Sequence, residues 1–414
     1  MNSPRITAGL IIGACIALTV STGRAIADGG VRNILTDLYG GDGIRLSQAS
    51  GFGHDAHFTV GTFSGLGQMG DSIASNATSF FTAPSPVVGF ELDLETGIPV
   101  QSTKTFGPLM GATAGTLGEG KLDFGFSFHR VEFTHFEGRK LSELQVTVNH
   151  PDVNGDGLLA PFQPFPGGPT LDAELDQVRI DIDLDVTQNI FAIFTSYGLS
   201  DDWDIGVVLP IIEIQASARA KAGVVDPTPG TASPHFFDPA NGDSPVSQVA
   251  RSALGIGDLV LRTKYRFLKN HDALPDLALG GRITAPTGNE RDLMGTGETK
   301  LQGLLIMSKT FDQLTPHLNL GYEWVPGDSS VDNVRFIAGF DTAINQCLTL
   351  SADILGRWEH HGDGIGDTLI DGGLGIKVEI AEDLLLNASV QTPLNIDEGV
   401  RAQLIWAVGI EHTF

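Results

Sequence analysis

Apolar and polar residues alternate with a period of two along most of the chain, in segments of roughly 10 to 13 residues. The last segment shows the pattern most clearly: Trp406, Val408 and Ile410 share one face, and Gly409 and Glu411 share the other. Successive side chains of a β-strand point to opposite faces. The pattern therefore predicts strands with one apolar and one polar face.

The same alternation recurs in eleven segments upstream of this one. They cover residues 122–135, 177–197, 204–218, 254–268, 277–286, 299–311, 317–324, 334–344, 347–358, 369–380 and 384–394. Strands joined in chain order can close as an antiparallel meander, and single-chain bacterial barrels have an even number of strands. We predict an all-β fold: an antiparallel up-and-down transmembrane β-barrel of about 12 strands over residues 120–414.

The connections between these segments alternate in length. Compact turns fall near residues 200–202, 270–272, 312–313, 345–346 and 382–383, and longer loops near 151–176, 221–251, 287–298, 327–332, 359–367 and 395–400. Outer-membrane barrels have short periplasmic turns and longer external loops. A soluble β-sandwich is the alternative, but it has no reason to sort its loops by side. The aromatic ends of the apolar faces, such as Tyr322 and Trp324, also favour a membrane barrel.

The first residues have the features of an export signal. Arg5 precedes an apolar stretch over residues 6–20, and Ala25 and Ala27 form a small-x-small cleavage site. We expect residues 1–27 to be a cleaved signal peptide; a lipoprotein signal ending at Cys15 is the alternative. Beyond residue 27 no apolar run approaches the roughly 20 residues of a spanning helix, so a mature chain that crosses a bilayer does so as strands.

Residues 28–119 follow a different pattern from the rest of the chain. Val31, Ile34, Leu35 and Leu38 recur at helical spacing, and a second pattern runs through residues 66–80. We expect a partly helical segment that either fills the barrel lumen as a plug or lies in the periplasm. Residues 87–94 and 100–106 could also pair as a hairpin, which would raise the barrel to 14 strands.

The net charge and the cysteine content of the chain exclude some partners and some bonds. The formal charge of the chain is −25, and loss of Arg5 and Arg24 with the signal makes it more negative. Such a chain repels nucleic acid. Only Cys347 remains after cleavage, so the mature chain has no internal disulfide.

Charged residues on the polar faces are the candidate lumen-lining residues. A basic side chain that faced lipid at mid-depth would cost about 2–4 kcal/mol, so we expect these charges to point inward. They are Arg179, Asp181, Asp183, Asp185, Arg262, Lys264, Arg266, Arg282, Lys300, Glu323, Arg335, Asp341, Asp353, Arg357, Asp371, Lys377 and Glu379. They either line a conductive path or pair across the lumen and stiffen a narrow barrel.

One external loop has the opening of a calcium-binding loop. Asp152, Asn154 and Asp156 alternate as oxygen donors, with glycine at 155 and 157. The position that supplies a bidentate Glu in such loops is Gln163, so a plain turn is the alternative. No other metal or bound cofactor is expected. A Gly-x-Ser-x-Gly elbow and a His-Glu-x-x-His motif are both missing from the sequence, and we expect no catalytic residues.

Several short runs together resemble a known family. They are residues 118–128, 197–206 with Leu209 and Pro210, 255–259, 264–266, 285–288 and 319–322. They are similar to a family of outer-membrane proteins named for the meta-cleavage pathway of phenol degradation, whose architecture resembles that of the long-chain fatty-acid transporter. The resemblance covers residues 60–414, and no single motif in it is diagnostic. It implies an outer-membrane barrel that takes up aromatic compounds.

We therefore expect a non-enzymatic channel in the outer membrane of a double-membraned bacterium. Its solutes would be small and hydrophobic or aromatic, and would pass by passive or facilitated diffusion. The other partners expected are outer-membrane lipid, lipopolysaccharide and the barrel-assembly machinery, which would recognise the strand ending at Phe414. The alternative function is a structural or surface-interaction barrel without a conductive pore.

Overall fold

The computed structural model describes residues 30–38, 69–70, 72–74, 90–92, 99–101, 104–150, 175–225, 235–237, 245–269, 273–327, 332–359 and 368–414. The predicted signal peptide, most of residues 39–103 and parts of several predicted loops lie outside these residues. Among the described residues, no helix is long and apolar enough to cross a bilayer.

The described residues form seventeen strands. These are β1 (Phe90–Leu92), β2 (Pro99–Gln101), β3 (Leu122–Phe136), β4 (Arg139–Lys140), β5 (Leu144–Asn149), β6 (Gln177–Ser200), β7 (Trp203–Val225), β8 (Val246–Ile256), β9 (Leu259–Leu268), β10 (Asp276–Ala285), β11 (Lys300–Ser308), β12 (Leu314–Trp324), β13 (Asn333–Asn345), β14 (Leu348–Glu359), β15 (Thr368–Ala381), β16 (Leu384–Pro393) and β17 (Val400–Thr413). Short 3₁₀ helices cover Val31–Asn33, Leu141–Glu143 and Glu290–Asp292.

Within the described chain, twelve of these strands close into an antiparallel barrel. The strands β6, β7 and β9 to β17 follow one another around the wall, and β3 pairs with both β17 and β6 to close it. The predicted fold class and the number of 12 barrel strands are confirmed. The predicted hairpin near residue 90 also forms, as β1 and β2, but in a separate two-stranded sheet, so the suggestion of 14 barrel strands was wrong.

The barrel has a short-turn end and a long-loop end. Consecutive strands are joined at one end by turns such as 201–202 and 346–347, and at the other by longer connections such as 286–299. Leu122 and Phe414 exchange backbone hydrogen bonds at the short-turn end, where the first and last barrel strands meet. The alternation of connection length predicted from the sequence is present in the structure.

β6 and β7 extend well past the rest of the barrel at the long-loop end. They are 24 and 23 residues long, whereas a transmembrane strand needs only about 9–11 residues. Their outer halves pair with β5 and β8, which are additional to the twelve barrel strands. We call the sheet formed by β5, β8 and these outer halves the extension.

The predicted strand at 254–268 is broken where the extension leaves the barrel. β7 pairs with β9 up to Val208 and with β8 from Ile211 onward. Pro210 has no N–H to continue the ladder, and its carbonyl instead accepts a hydrogen bond from Gly257. A Cβ at Gly257 would lie 2.6 Å from Ile212 Cδ1, so glycine lets the chain turn closely against β7.

The outer face of the barrel carries a belt of exposed apolar side chains. Leu374 is 60% exposed, and Leu320, Tyr322, Trp406 and many alternating residues are also exposed. Soluble monomers rarely expose contiguous apolar patches larger than a few hundred Å². The belt is therefore the surface that the fold presents to an apolar environment.

Candidate functional site

Residues 104–117, which we call the inner segment, lie inside the barrel. Their backbone N–H groups donate to inward-facing side chains of the wall: that of Phe106 to Thr349 Oγ1 (2.9 Å) and that of Ala114 to Ser308 Oγ (2.9 Å). Asn319 clamps the middle, since its Oδ1 accepts from the Ala112 N–H and its Nδ2 donates to the Ala112 carbonyl, both at 2.7 Å. Wall side chains thus satisfy backbone groups that have no strand partner.

The ends of the inner segment are held at the short-turn end of the barrel. Lys104 forms an ion pair with Asp312, in the turn between β11 and β12. At the other end, the Leu117 N–H donates to both carboxylate oxygens of Asp204 at 3.1 Å, and Thr116 Oγ1 donates to the carbonyl of Asp201. The segment therefore crosses the lumen from one wall to the other.

Small residues in the wall make room for the inner segment. A Cβ at Gly373 would lie 2.0 Å from Met110 Sδ, and one at Gly375 would lie 2.4 Å from Leu109 Cδ1. Side chains at these two inward positions of β15 would displace the segment. Packing in the lumen thus explains why β15 has glycine at both Gly373 and Gly375.

A chamber of about 250 Å³ lies between the inner segment and the barrel wall. Leu109, Met110, Phe194, Leu304 and Ile337 contribute much of its apolar surface. Arginine side chains contribute much of its polar surface. The chamber is a candidate binding site that lies inside the barrel.

The arginine side chains of the chamber lie toward the long-loop end, on the neighbouring strands β9 and β10, on the neighbouring strands β13 and β14, and on β17. The lining includes Arg262, Arg282, Arg335, Arg357 and Arg401. Arg262 is the direct register partner of Arg282, and Arg335 is that of Arg357. Like charges directly opposite each other destabilise a sheet. We call these five residues the arginine row.

Acidic residues accompany the arginine row. Glu323 Oε1 lies 2.9 Å from Arg335 Nη2, Glu359 pairs with Arg357, and Asp371 pairs with Arg401. These pairs hold three guanidinium groups against the wall. Glu359 is on the same strand as Arg357, Glu323 is on the strand next to that of Arg335, and Asp371 reaches Arg401 across β16.

A second set of charges lies toward the short-turn end. Lys377 Nζ is 3.0 Å from Glu411 Oε1, with both side chains almost fully buried. His317 Nε2 is 2.6 Å from Asp353 Oδ1, and Asp341 lies on the other side of the imidazole ring. Lys264 lies 4.0 Å from Asp204. Lys264 and Asp204 are on neighbouring strands, whereas the other two pairs each reach across an intervening strand. These pairs connect strands of the wall at the short-turn end.

Pieces of the N-terminal region cover the long-loop end. Val31, Ile34, Leu35 and Leu38 are all buried, as predicted from their helical spacing, and pack in one core with the inward face of the extension. Arg251 of β8 holds this turn by pairing with Asp37. Residues 30–38, which we call the N-terminal cap, therefore lie at the long-loop end, whereas residues 104–117 lie in the lumen.

The loop between β10 and β11 joins the same core through Leu293 and Met294. Asp258 anchors it: its carboxylate accepts the N–H groups of Gly288 (2.9 Å) and Thr296 (3.1 Å). Burial raises the pKa of the Asp258 carboxyl, and the two N–H groups oppose this rise because they stabilise the charged form. Asp258 thus ties the loop to the break between β8 and β9.

The structure places most of the predicted lumen residues on the inner face. Arg262, Lys264, Arg282, Arg335, Arg357 and Asp371 line the chamber, and Lys300, Glu323, Asp341, Asp353 and Lys377 are buried on inward positions. Arg266 is at the short-turn end, where it pairs with Asp202. Glu379 is partly buried near the same end.

The prediction was wrong for Arg179, Asp181, Asp183 and Asp185. All four are exposed on the outer face of β6, and the apolar residues Val178, Ile180 and Ile182 point inward. The lipid-cost argument fails here because this half of β6 belongs to the extension, whose outer face is solvated and whose inner face contacts a hydrophobic core. Charges on the outer face there cost little.

The predicted calcium loop falls outside the residues that the structure describes. Asp152, Asn154 and Asp156 lie in the stretch 151–174, so the calcium loop stays a prediction. Titration of the refolded protein with calcium tests it, and an absence of heat would remove it. In the described part of the chain, no group of three or more His, Cys, Asp or Glu side chains is arranged to hold a metal ion.

The sequence offers a lumen plug within residues 28–119 as one alternative, but it does not indicate the path of the inner segment or two of the wall residues. The backbone of 104–117 has no periodicity to predict its path, because side chains of the wall satisfy its hydrogen bonds. Arg401 was missed because it lies between the predicted loop at 395–400 and the predicted last strand, where register irregularities up to Ile405 also interrupt the alternation. Glu411 was already on the predicted inner face and was overlooked.

Comparisons of the fold find outer-membrane proteins of low sequence identity. An outer-membrane channel from Pseudomonas putida F1 is 13% identical, with a TM-score of 0.44, over 74% of this chain and 100% of that one. A toluene transporter from Ralstonia pickettii is 11% identical, with a TM-score of 0.35, over 72% and 90%. A FadL homologue from Pseudomonas aeruginosa is 10% identical, with a TM-score of 0.35, over 81% and 96%. No family model and no curated protein sequence matches the chain.

Proposed function

We propose that the chain is an outer-membrane channel that passes small hydrophobic or aromatic solutes by passive or facilitated diffusion. The observation that carries this proposal is a closed barrel with an apolar belt outside and a lined chamber inside. No covalent step or bound cofactor is needed. The resemblance to the phenol meta-pathway family agrees with aromatic solutes.

The geometry supports a bilayer as the environment of the belt. Only helices and closed barrels satisfy all backbone polar groups in lipid. In such barrels short turns face the periplasm and long loops face outward, so the extension and the N-terminal cap lie outside the cell surface and the inner segment obstructs the periplasmic half. Residues 104–117 then obstruct the lumen as the plug part of the segment 28–119, which we propose follows a cleaved signal peptide at 1–27.

The size and lining of the chamber support a solute of one aromatic ring. A cavity of about 150 Å³ lined by apolar side chains is large enough to bind benzene. The chamber here has about 250 Å³ and combines apolar residues with polar ones. A small ring with one polar substituent matches both its volume and its lining.

Reconstitution tests the proposed function. Purified protein in planar bilayers should conduct ions, and liposomes that contain it should take up small aromatic solutes faster than empty liposomes. Sealed bilayers together with unchanged uptake would contradict a channel. They would favour the second candidate, a structural barrel whose extension displays the carboxylates of β6 for divalent cations that bridge lipopolysaccharide.

Substitutions on two exposed positions test the membrane placement. Leu374→Arg, in the middle of β15, should destabilise the folded barrel in lipid vesicles by about 2–4 kcal/mol because it buries a charge in hydrocarbon. Val246→Arg, equally exposed but in the extension, should change the free energy of unfolding by less than about 0.5 kcal/mol. Equal effects of the two substitutions, measured by urea unfolding, would refute this placement.

A further inference from the structure

The arginine row makes the chamber strongly basic on one side. The charged side chains that line the chamber are six bases, namely the row with Lys264, and two acids, namely Asp204 and Asp371. Basic side chains thus outnumber acidic ones at this level of a chain whose net charge is strongly negative. This local reversal of charge separates the chamber from the rest of the molecule.

The backbone register brings like charges together at this site. Arg262 and Arg282 occupy directly opposite positions of β9 and β10, and Arg335 and Arg357 occupy directly opposite positions of β13 and β14. Like charges in such positions repel each other, most strongly where burial limits screening by water. An anion that lies between the guanidinium groups would offset this repulsion.

Hydrogen bonds and ion pairs with neighbouring groups order the side chains of the arginine row. Arg262 Nη2 donates to Ser196 Oγ at 2.6 Å, and Arg335 Nε donates to Asn333 Oδ1 at 2.8 Å. Glu323 also pairs with Arg335, Glu359 pairs with Arg357, and Asp371 pairs with Arg401. Arginine side chains that are already ordered lose less conformational entropy when they bind, and a planar guanidinium matches a carboxylate with two hydrogen bonds.

The other side of the chamber is apolar. Leu109 and Met110 of the inner segment and Phe194, Leu304 and Ile337 of the wall supply this surface. A ligand that fits both sides has a carboxylate at one end and an apolar body, with a volume that fits within about 250 Å³. Benzoate has this chemistry, whereas toluene lacks the anion and acetate lacks the apolar body.

We propose that the chamber is a binding site for small aromatic or aliphatic carboxylates, with the arginine row holding the carboxylate and the inner segment supporting the apolar body. The site rests on the proposed function only in that such anions would be the preferred solutes. Binding itself requires no conduction. The two proposals can therefore fail separately.

Equilibrium binding to the detergent-solubilised full-length mature chain tests the site. Titration calorimetry should show saturable binding of benzoate, and at least tenfold weaker binding of benzyl alcohol and of acetate. Arg282→Gln and Arg357→Gln should each weaken benzoate binding about 10- to 100-fold, because each removes a charged hydrogen-bond donor. Arg282→Lys, which keeps the charge, should retain more affinity than Arg282→Gln.

Arg179→Gln is the matched control, since it makes the same substitution on the outer face of the extension and should leave benzoate affinity unchanged. Retention of the folded form on unheated gels shows that each variant is assembled. Equal binding of benzoate and benzyl alcohol, or unchanged affinity in both glutamine variants, would overturn the proposal. Conductance without benzoate binding would support the channel and contradict the binding site. Benzoate binding by a barrel that does not conduct would support the binding site and contradict the channel.

Discussion

Deleting residues 28–117 should increase the single-channel conductance of the barrel at least several-fold. The deletion removes the inner segment, which crosses the lumen between Asp312 and Asp204 and is clamped by Asn319. Closure of the wall does not depend on this segment, because β3 pairs with β6 and β17 through strand hydrogen bonds alone. Planar-bilayer recordings measure the change directly.

Deleting residues 28–103 is the control for this experiment. It removes the N-terminal cap and leaves the inner segment with its hydrogen bonds to Thr349, Asn319 and Ser308. Conductance should then remain close to that of the full mature chain. If the shorter deletion opened the barrel as much as the longer one, the inner segment would not be the constriction, and the plug would have to be sought in the preceding residues.

The strands could be predicted from the sequence because every residue of the wall faces either the apolar outside of the barrel or its polar lumen. Along β12, Leu320, Tyr322 and Trp324 face outward, while Asn319 and Glu323 face inward, and the same rule holds around the barrel. The alternating lengths of the connections then distinguished the short-turn end of the barrel from the long-loop end. Periodicity and turn composition are local properties, so reading them required no knowledge of which strands pair.

The rule failed where its cause changed along a single strand. The half of β6 that belongs to the extension continues the same alternation. There, however, the outer face carries charged side chains, and the inner face contacts a hydrophobic core that includes Val31 and Leu38. Alternation alone cannot tell which face is buried. The sequence signal for the change is the length of β6, since 24 residues exceed what a bilayer needs.

The arginine row and the inner segment show a different limit. Each arginine was placed on the inner face from its own strand, yet their meeting depends on register, such as the pairing of Arg262 with Arg282. Register follows from turn geometry and long-range pairing, which a single sequence does not display. The inner segment depends on contacts such as that between Gly373 and Met110, which are more than 250 residues apart in the chain.

Replacing Lys377 with Met should destabilise the folded barrel by about 3–5 kcal/mol, because it leaves Glu411 buried without its cation. The two side chains are 1% and 3% exposed, and Asp123 lies nearby on β3, where it contacts Thr413. Loss of the ammonium would leave two carboxyl groups in a site with little water. Urea unfolding in lipid vesicles measures the loss.

Two further variants make this measurement specific to the buried pair. Arg130→Met breaks the ion pair with Glu132, whose side chains are 37% and 58% exposed, and should cost only about 0–1 kcal/mol. The double variant Lys377→Met with Glu411→Leu should recover most of the loss, because it replaces both charges with apolar groups of similar size. A cost below about 1 kcal/mol for Lys377→Met alone would show that water reaches Glu411. The narrow end of the lumen would then be hydrated rather than closed by paired side chains.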